Sequence, residues 1–163
     1  MWALDAAVLG AAALAVIGAL HAPPPRALIA GEPGAVQCLA LNIYHEARGE
    51  PREGKIAVGQ VVINRVLDRR FPDSVCAVVK QGGARRRNRC QFSWWCDGRS
   101  DRPEDIMAWG ESTAIAARLL DGRFDDPTGG ALWYHADSVL TDWRRDLASR
   151  GKIGHHVFYT RAR

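Results

Sequence analysis

The 163-residue chain contains no C-x₂-C pair and no H-E-x-x-H motif. Two of the commonest ligand spacings of zinc sites are therefore missing. No apolar run is long enough to cross a membrane. The uncharged stretch Ala6–Leu20 covers 15 residues, a helix of about 22 Å against a bilayer core of about 30 Å. That length suits the apolar region of a signal peptide, but no Lys or Arg precedes it, Asp5 does, and Leu20-His21-Ala22 offers no small residue at the −3 position of a cleavage site. Residues 1–22 therefore read as a signal peptide or an uncleaved signal anchor. No internal repeat occurs, and no low-complexity segment beyond this Ala/Gly-rich start, which excludes solenoids and fibres.

What is present is ordinary for one globular domain: 47% hydrophobic and 25% charged residues. The net charge of +4 and pI near 9.1 admit nucleic acid, anionic lipid or an anionic cell-wall polymer as partners without choosing among them. The four cysteines, Cys38, Cys76, Cys90 and Cys96, suit two disulfides in an exported chain, with three connectivities open.

Pro23-Pro24-Pro25 cannot continue a helix and opens a Pro-rich linker over residues 23–34. The domain proper is expected over 35–163. Apolar residues at Val36, Leu39, Ala40, Ile43, Tyr44 and Ala47 follow the helical period and predict a helix over 35–48. Gly49 and Pro51 end it. A second helix over 51–68 is apolar on most of its circumference and should be central and buried. Its Gln60 and Asn64 form an i, i+4 polar pair, suited either to a core network or to a cleft wall. A third short helix over 73–80 is capped by Asp73 or Ser74. A fourth spans 104–121, with Ile106, Met107, Trp109, Ala114, Ala117 and Leu120 facing inward.

Between them lies QGGARRRNRCQFSWWCDGRSDRPE, residues 81–104. Its Arg-rich part, 85–89, reads as a solvated basic loop or as a contact for an anionic polymer. Gln91–Trp95 reads as a strand or extended aromatic wall, with Trp94 either core or a sugar-stacking surface. Residues 131–135 and 153–159 predict strands, and 138–149 a short helix.

The stretch Ile43–Pro51, IYHEARGEP, concentrates the chemistry. Glu46 falls in the last turn, beside Leu39 and Ile43 at the edge of the buried stripe. Apolar neighbours and the negative end of the helix dipole both disfavour a charged carboxylate. Glu46 is therefore a candidate proton donor near neutral pH, or else a solvated helix-end residue. Arg48 projects from the other side of the wheel and does not neutralise it. Glu50, one turn on, is a second carboxylate that could raise the pKa of Glu46, or a turn residue.

The blocks LALNIYHEARGEP (39–51), GKIAVGQVVINRV (54–66), FPDSVC (71–76), CQFSWWCDG (90–98), DPTGGALWYHA (126–136) and IGHHVFY (153–159) resemble, in order, the SleB-type cell wall hydrolases. The resemblance spans roughly residues 36–161. It implies an α+β, mainly helical, lysozyme-like domain with a few short strands. It also implies an enzyme that cuts the glycan strand of peptidoglycan between N-acetylmuramic acid and N-acetylglucosamine, with Glu46 at the family's catalytic position. A lytic transglycosylase needs only one acid/base, because the C6 hydroxyl of the muramic acid attacks. A muramidase hydrolysing the same bond needs a second carboxylate, for which Glu50, Asp97 and Asp101 are candidates. Gln91, Ser93, Tyr134 and His156 lie in these blocks and join Glu50, Gln60 and Trp94 as expected substrate-positioning residues, whereas His135 and Tyr44 read as structural.

Other classes fare worse. A zinc amidase would need His135, His155 or His156, but no ligand spacing supports it, and adjacent strand histidines point to opposite faces. The Arg loop belongs to no recognisable nucleic-acid module. A non-catalytic peptidoglycan-binding module is the remaining alternative. The expected enzyme needs no cofactor or metal. It is exported to the periplasm or cell surface, with transient inner-membrane association through residues 1–22, a segment that resembles the signal-arrest-release segments of some phage endolysins.

Overall fold

The chain was examined as a computed structural model, which describes residues 29–82 and 90–162. The N-terminal segment and the Arg-rich loop at 85–89 lie outside the described residues. So do residues 23–28 of the Pro-rich stretch. Ile29, however, is buried in the core. Glu32 accepts backbone N–H bonds from Val75 (2.6 Å) and Cys76 (3.0 Å). The packed domain therefore reaches back at least to Ile29, into the range read as linker.

Helix α1 (Ala35–Ala47) buries Leu39, Ala40 and Ile43 completely, as its period requires. Helix α2 (Arg52–Val66) starts behind Pro51 and is buried on nearly every side. Its all-round apolarity has that consequence: α2 has no solvent face to reserve for charge. A Cβ on Gly59 would stand 2.6 Å from Leu119 Cδ1 and 2.9 Å from Ile43 Cδ1. The missing side chain thus lets α2 approach its neighbours closely. Helix α3 (Val75–Val79) is capped by Ser74, whose hydroxyl accepts the N–H of Ala77 at 3.3 Å.

Helix α4 (Ile106–Leu120) is capped by Asp105 and packs along α1. Its buried residues are Ser112, Ile115, Ala116, Leu119 and Leu120. The expected inward face is partly overturned: Ile106 and Met107 are 82% and 83% exposed, and Ala114 is exposed as well. Ser112 escapes a polarity-based reading because its hydroxyl donates to Ala108 O at 2.8 Å within its own helix. A serine satisfied in this way can be buried at little cost.

Three antiparallel strands complete the domain: β1 (Trp133–Ala136), β2 (Leu147–Ile153) and β3 (His156–Arg161), in the order β1-β3-β2. Residues 138–149 are not a helix. A 3-10 turn occupies Asp142–Asp146, and β2 follows at once. Most of β2 is exposed, so it carries no apolar alternation to announce it. Gln91–Trp95 is not extended either; Ser93–Cys96 forms a 3-10 turn. Mainly helical with one small sheet, the architecture agrees with the expected class.

The disulfides join Cys38 to Cys76 and Cys90 to Cys96. The first ties α1 to α3 across 38 residues. In the chain-entropy picture a loop of that length is worth about 4 kcal/mol. Replacing both Cys38 and Cys76 by Ser should lower the unfolding free energy by about 2–4 kcal/mol in denaturant titration. Loss of Cys90–Cys96, which closes a much shorter loop, should cost less.

Candidate active site

The last turn of α1 closes with the N–H of Arg48 on Tyr44 O and that of Glu50 on Ala47 O. Glu46 stands in this turn, half-buried. Opposite it, β1 presents Tyr134, whose hydroxyl donates to Glu46 Oε2 at 3.1 Å. From the last turn of α2 comes Arg65, 2% exposed. Its Nε donates to Leu132 O at 2.8 Å. Its guanidinium lies 5.3 Å from the rings of both Phe71 and Phe92. Arg65 Nη1 is buried without a hydrogen-bond partner. Helix α1, helix α2 and the sheet thus each contribute one group to a single constellation.

The electrostatics follow from burial. Desolvation pushes the Glu46 carboxyl above its ordinary value of 4.5, outweighing the Tyr134 hydrogen bond and the Arg65 charge, which pull it down. Burial and the Glu46 charge hold the Tyr134 phenol well above its usual range, so it remains a proton-bearing donor. Burial lowers the Arg65 guanidinium to about 10, leaving it cationic at neutral pH. A carboxylic acid poised beside a phenol and a cation can release a proton and then be stabilised as an anion.

Tyr134 and Arg65 line a cleft of about 560 Å³ together with Gln91, Trp133, Trp143 and Leu147. Gln91 and Tyr134, two of the expected substrate-positioning residues, are thus both in its wall. Trp133, Trp143, Leu147 and Arg65 were missed. Arg65 did leave a signal: it continues the buried stripe Val58–Val61 by one more helical step, a charge where an apolar residue is expected.

Other expected residues lie elsewhere. Gln60 is 2% exposed and donates to Asn64 Oδ1 at 2.9 Å. Asn64 Nδ2 in turn reaches Asp126, Thr128 and the Ala131 carbonyl. The pair is a core network that fixes the turn before β1, and burial corrects the placement of Gln60 on the cleft. Glu50 accepts from the backbone N–H (2.8 Å) and the Nδ1 (3.1 Å) of His155. It thereby clamps the β2–β3 turn at Gly154, where a Cβ would strike its carboxylate at 2.0 Å. His156 is 8% exposed and packs edge-on against the Tyr134 ring at 5.1 Å. Burial lowers its pKa, so the imidazole is neutral, and it buttresses Tyr134. His135 donates to Ala136 O and accepts from Tyr159, a structural role.

Trp94 is 7% exposed; its Nε1 donates to Asn42 Oδ1 at 3.3 Å, and its ring stacks on His45 at 4.6 Å. Trp94, Asp97 and Asp101 border a second cleft, separate from the Tyr134 wall. Ser93 is exposed and lines neither cleft. His155 sits in the hairpin turn and not in a strand, so the opposite-face rule does not apply; both His155 and His156 turn toward Glu50. Among the described residues no three His, Cys, Asp or Glu side chains converge as metal ligands.

Comparison with known proteins agrees with this architecture. Residues 49–159 match the family described as Cell Wall Hydrolase, and the chain belongs to it. Spore cortex-lytic enzymes are similar: that of Halalkalibacterium halodurans is 33% identical over 124 residues, 76% of this chain and 34% of its own length. That of Bacillus cereus is 34% identical, over 43% of its length. The chain thus spans less than half the length of these relatives. Two solved structures are similar at 30% identity. The catalytic domain of the Bacillus cereus SleB protein has a TM-score of 0.59, covering 78% of this chain and 90% of that one. The catalytic domain of the germination-specific lytic transglycosylase SleB from Bacillus anthracis gives 0.60, covering 79% and 96%. Glu46 lies three residues ahead of the family match.

Because the folded pKa of Glu46 exceeds its unfolded value, the folded chain keeps a proton that the unfolded chain releases as pH rises from 4.5. Folding is therefore weakened across that window. Glu46→Gln should raise the melting temperature at neutral pH, and the difference should vanish at pH below about 4, where both carboxyl states are protonated. Calorimetry at the two pH values checks this.

Proposed function

We propose that this domain cleaves the glycan strand of peptidoglycan between N-acetylmuramic acid and N-acetylglucosamine as a lytic transglycosylase, with Glu46 as acid and then base. The observation that carries it is the desolvated Glu46 carboxyl, which accepts a hydrogen bond from the Tyr134 hydroxyl, a group of the aromatic cleft wall; the residues that line that cleft include no carboxylate. Glu50 is engaged by the hairpin, and Asp97 and Asp101 border the other cleft. Among the described residues no second carboxylate lines that cleft to activate water, as an inverting hydrolase requires, or to act as a nucleophile, which favours the transglycosylase. The description of the Bacillus anthracis neighbour as a lytic transglycosylase supports the same choice.

In the forward step the Glu46 carboxylic acid gives its proton to the glycosidic oxygen as the C1–O bond breaks, and the departing sugar leaves with a hydroxyl. The Glu46 carboxylate then takes the proton from the C6 hydroxyl of the muramic acid as that oxygen bonds to C1. The product is a 1,6-anhydro ring, and Glu46 is returned to its acid form. No water is consumed. Tyr134 fixes the direction of the carboxyl, and Arg65 steadies its anionic state between the two transfers. Trp133 and Trp143 supply flat apolar faces for the sugar rings. The two disulfides fit work in an oxidising compartment outside the cytoplasm.

Mass spectrometry of sacculi digested with the full chain should show 1,6-anhydro-muramic ends; ordinary reducing ends alone would rule out the transglycosylase. Glu46→Gln should lower turnover at least about a hundredfold while circular dichroism stays unchanged. Tyr134→Phe removes a hydrogen bond that favours the carboxylate, so Glu46 should hold its proton to higher pH. The alkaline limb of the kcat/KM profile should then move upward, and an unmoved limb would dissociate Tyr134 from the acid.

A further inference from the structure

The second cleft, of about 500 Å³, lies on the other side of the α1 terminus from Tyr134. Its floor is the Trp94 ring stacked on His45, and His45 Nε2 donates to Asp101 O at 3.1 Å. Glu46 follows His45 in sequence, and Gln91 of the first cleft precedes Trp94 by three residues. Their Cα atoms are at most about 11 Å apart. The two clefts therefore adjoin the same helix end.

The composition of this cleft is unlike that of the first. Arg48, Arg99 and Arg102 line it together with Asp97, Asp101, Glu104 and Asp105. None of the seven takes part in an ion pair among the described residues. The Arg48 guanidinium lies 5.2 Å from the Tyr44 ring. Asp97 accepts only the backbone N–H of Arg99. Most of these side chains are exposed, and the Trp94–His45 stack lies in the same cleft with them. A sugar ring presents neither charge. The cleft complements a small ligand that carries ammonium and carboxylate groups together, within reach of a cut glycan strand. Desolvation also raises the Asp101 carboxyl.

We propose that this second cleft binds the stem peptide carried by the muramic acid, a short peptide with free carboxylates and a free side-chain ammonium. The inference rests on the glycan-cleaving reading. Arginines 48, 99 and 102 take the carboxylates, and the acidic rim takes the ammonium. The cleft therefore makes the enzyme selective for peptide-bearing glycan, and the aromatic cleft does the cutting.

Two measurements on the full chain test it. In the first, glycan strands bearing stem peptides are compared with strands stripped by an amidase, for the wild type and for Arg99→Ala/Arg102→Ala. These two side chains make no hydrogen bonds among the described residues, only their backbone N–H groups do, so the fold should persist. The wild type should show a KM about tenfold lower on the peptide-bearing strands, and in the double variant that ratio should fall to near one. Equal loss on both substrates would mean that the arginines contact sugar, and an unchanged ratio that they contact nothing; either overturns the proposal. In the second, the soluble tetrapeptide released by the amidase is titrated by calorimetry. It should bind the wild type and Glu46→Gln alike, weaken as salt is raised, and fail to bind the double variant. Absence of binding to the wild type overturns the peptide site even if glycan is cut. Binding without glycan cleavage by the wild type instead overturns the catalytic reading and leaves the peptide site standing.

Discussion

The hydrogen bond from Tyr134 to Glu46 spans the two halves of this domain. Tyr134 belongs to the sheet and Glu46 to the end of the first helix, 88 residues apart. Neither group would sit there for the sake of stability. Burying a carboxyl and a phenol against each other costs solvation that the bond only partly returns. The surrounding structure supplies the remainder: α2 packed at contact distance through Gly59, Arg65 wedged between Phe71 and Phe92, and His156 braced against the Tyr134 ring. The domain thus makes the Glu46 carboxyl harder to ionise than it would be in water.

Much of this was legible in the chain. The period of α1 located Glu46 at its terminus and on the rim of the buried face. The near-continuous apolarity of α2 marked it as central. What was not legible is tertiary in origin. Arg65 breaks the buried stripe of α2 with a charge, but only the fold shows that this charge is buried beside Glu46 and Tyr134. Most of β2 is exposed, and it pairs through its backbone, which leaves little trace in side-chain hydrophobicity. Ile106 and Met107 fit the helical period but lie on the exposed side of α4. Gln60 and Glu50 are polar residues near the site in sequence, and both spend their hydrogen bonds on holding turns in place. Proximity in a motif does not distinguish a residue that touches substrate from one that positions the backbone beneath it.

The two clefts differ in chemistry. One is lined by aromatic residues, with Tyr134 reaching from its wall to Glu46. The other is lined by charges of both signs that form no ion pair among the described residues. Trp94 and the 3-10 turn separate them, and the Cys90–Cys96 bridge closes the loop that carries both Gln91 and Trp94. The short disulfide thus shapes a site more than it strengthens a fold.

The order β1-β3-β2 carries a further consequence. The middle strand is the one made latest of all the described elements, and β1 has no hydrogen-bonding partner other than β3. During synthesis the helices and the Cys38–Cys76 bridge can assemble while Tyr134 still hangs from an unpaired segment. Glu46 is aimed only once β3 slots between its neighbours. The Tyr134–Glu46 bond is thus among the last contacts the described chain can complete, a timing set by the order of strands.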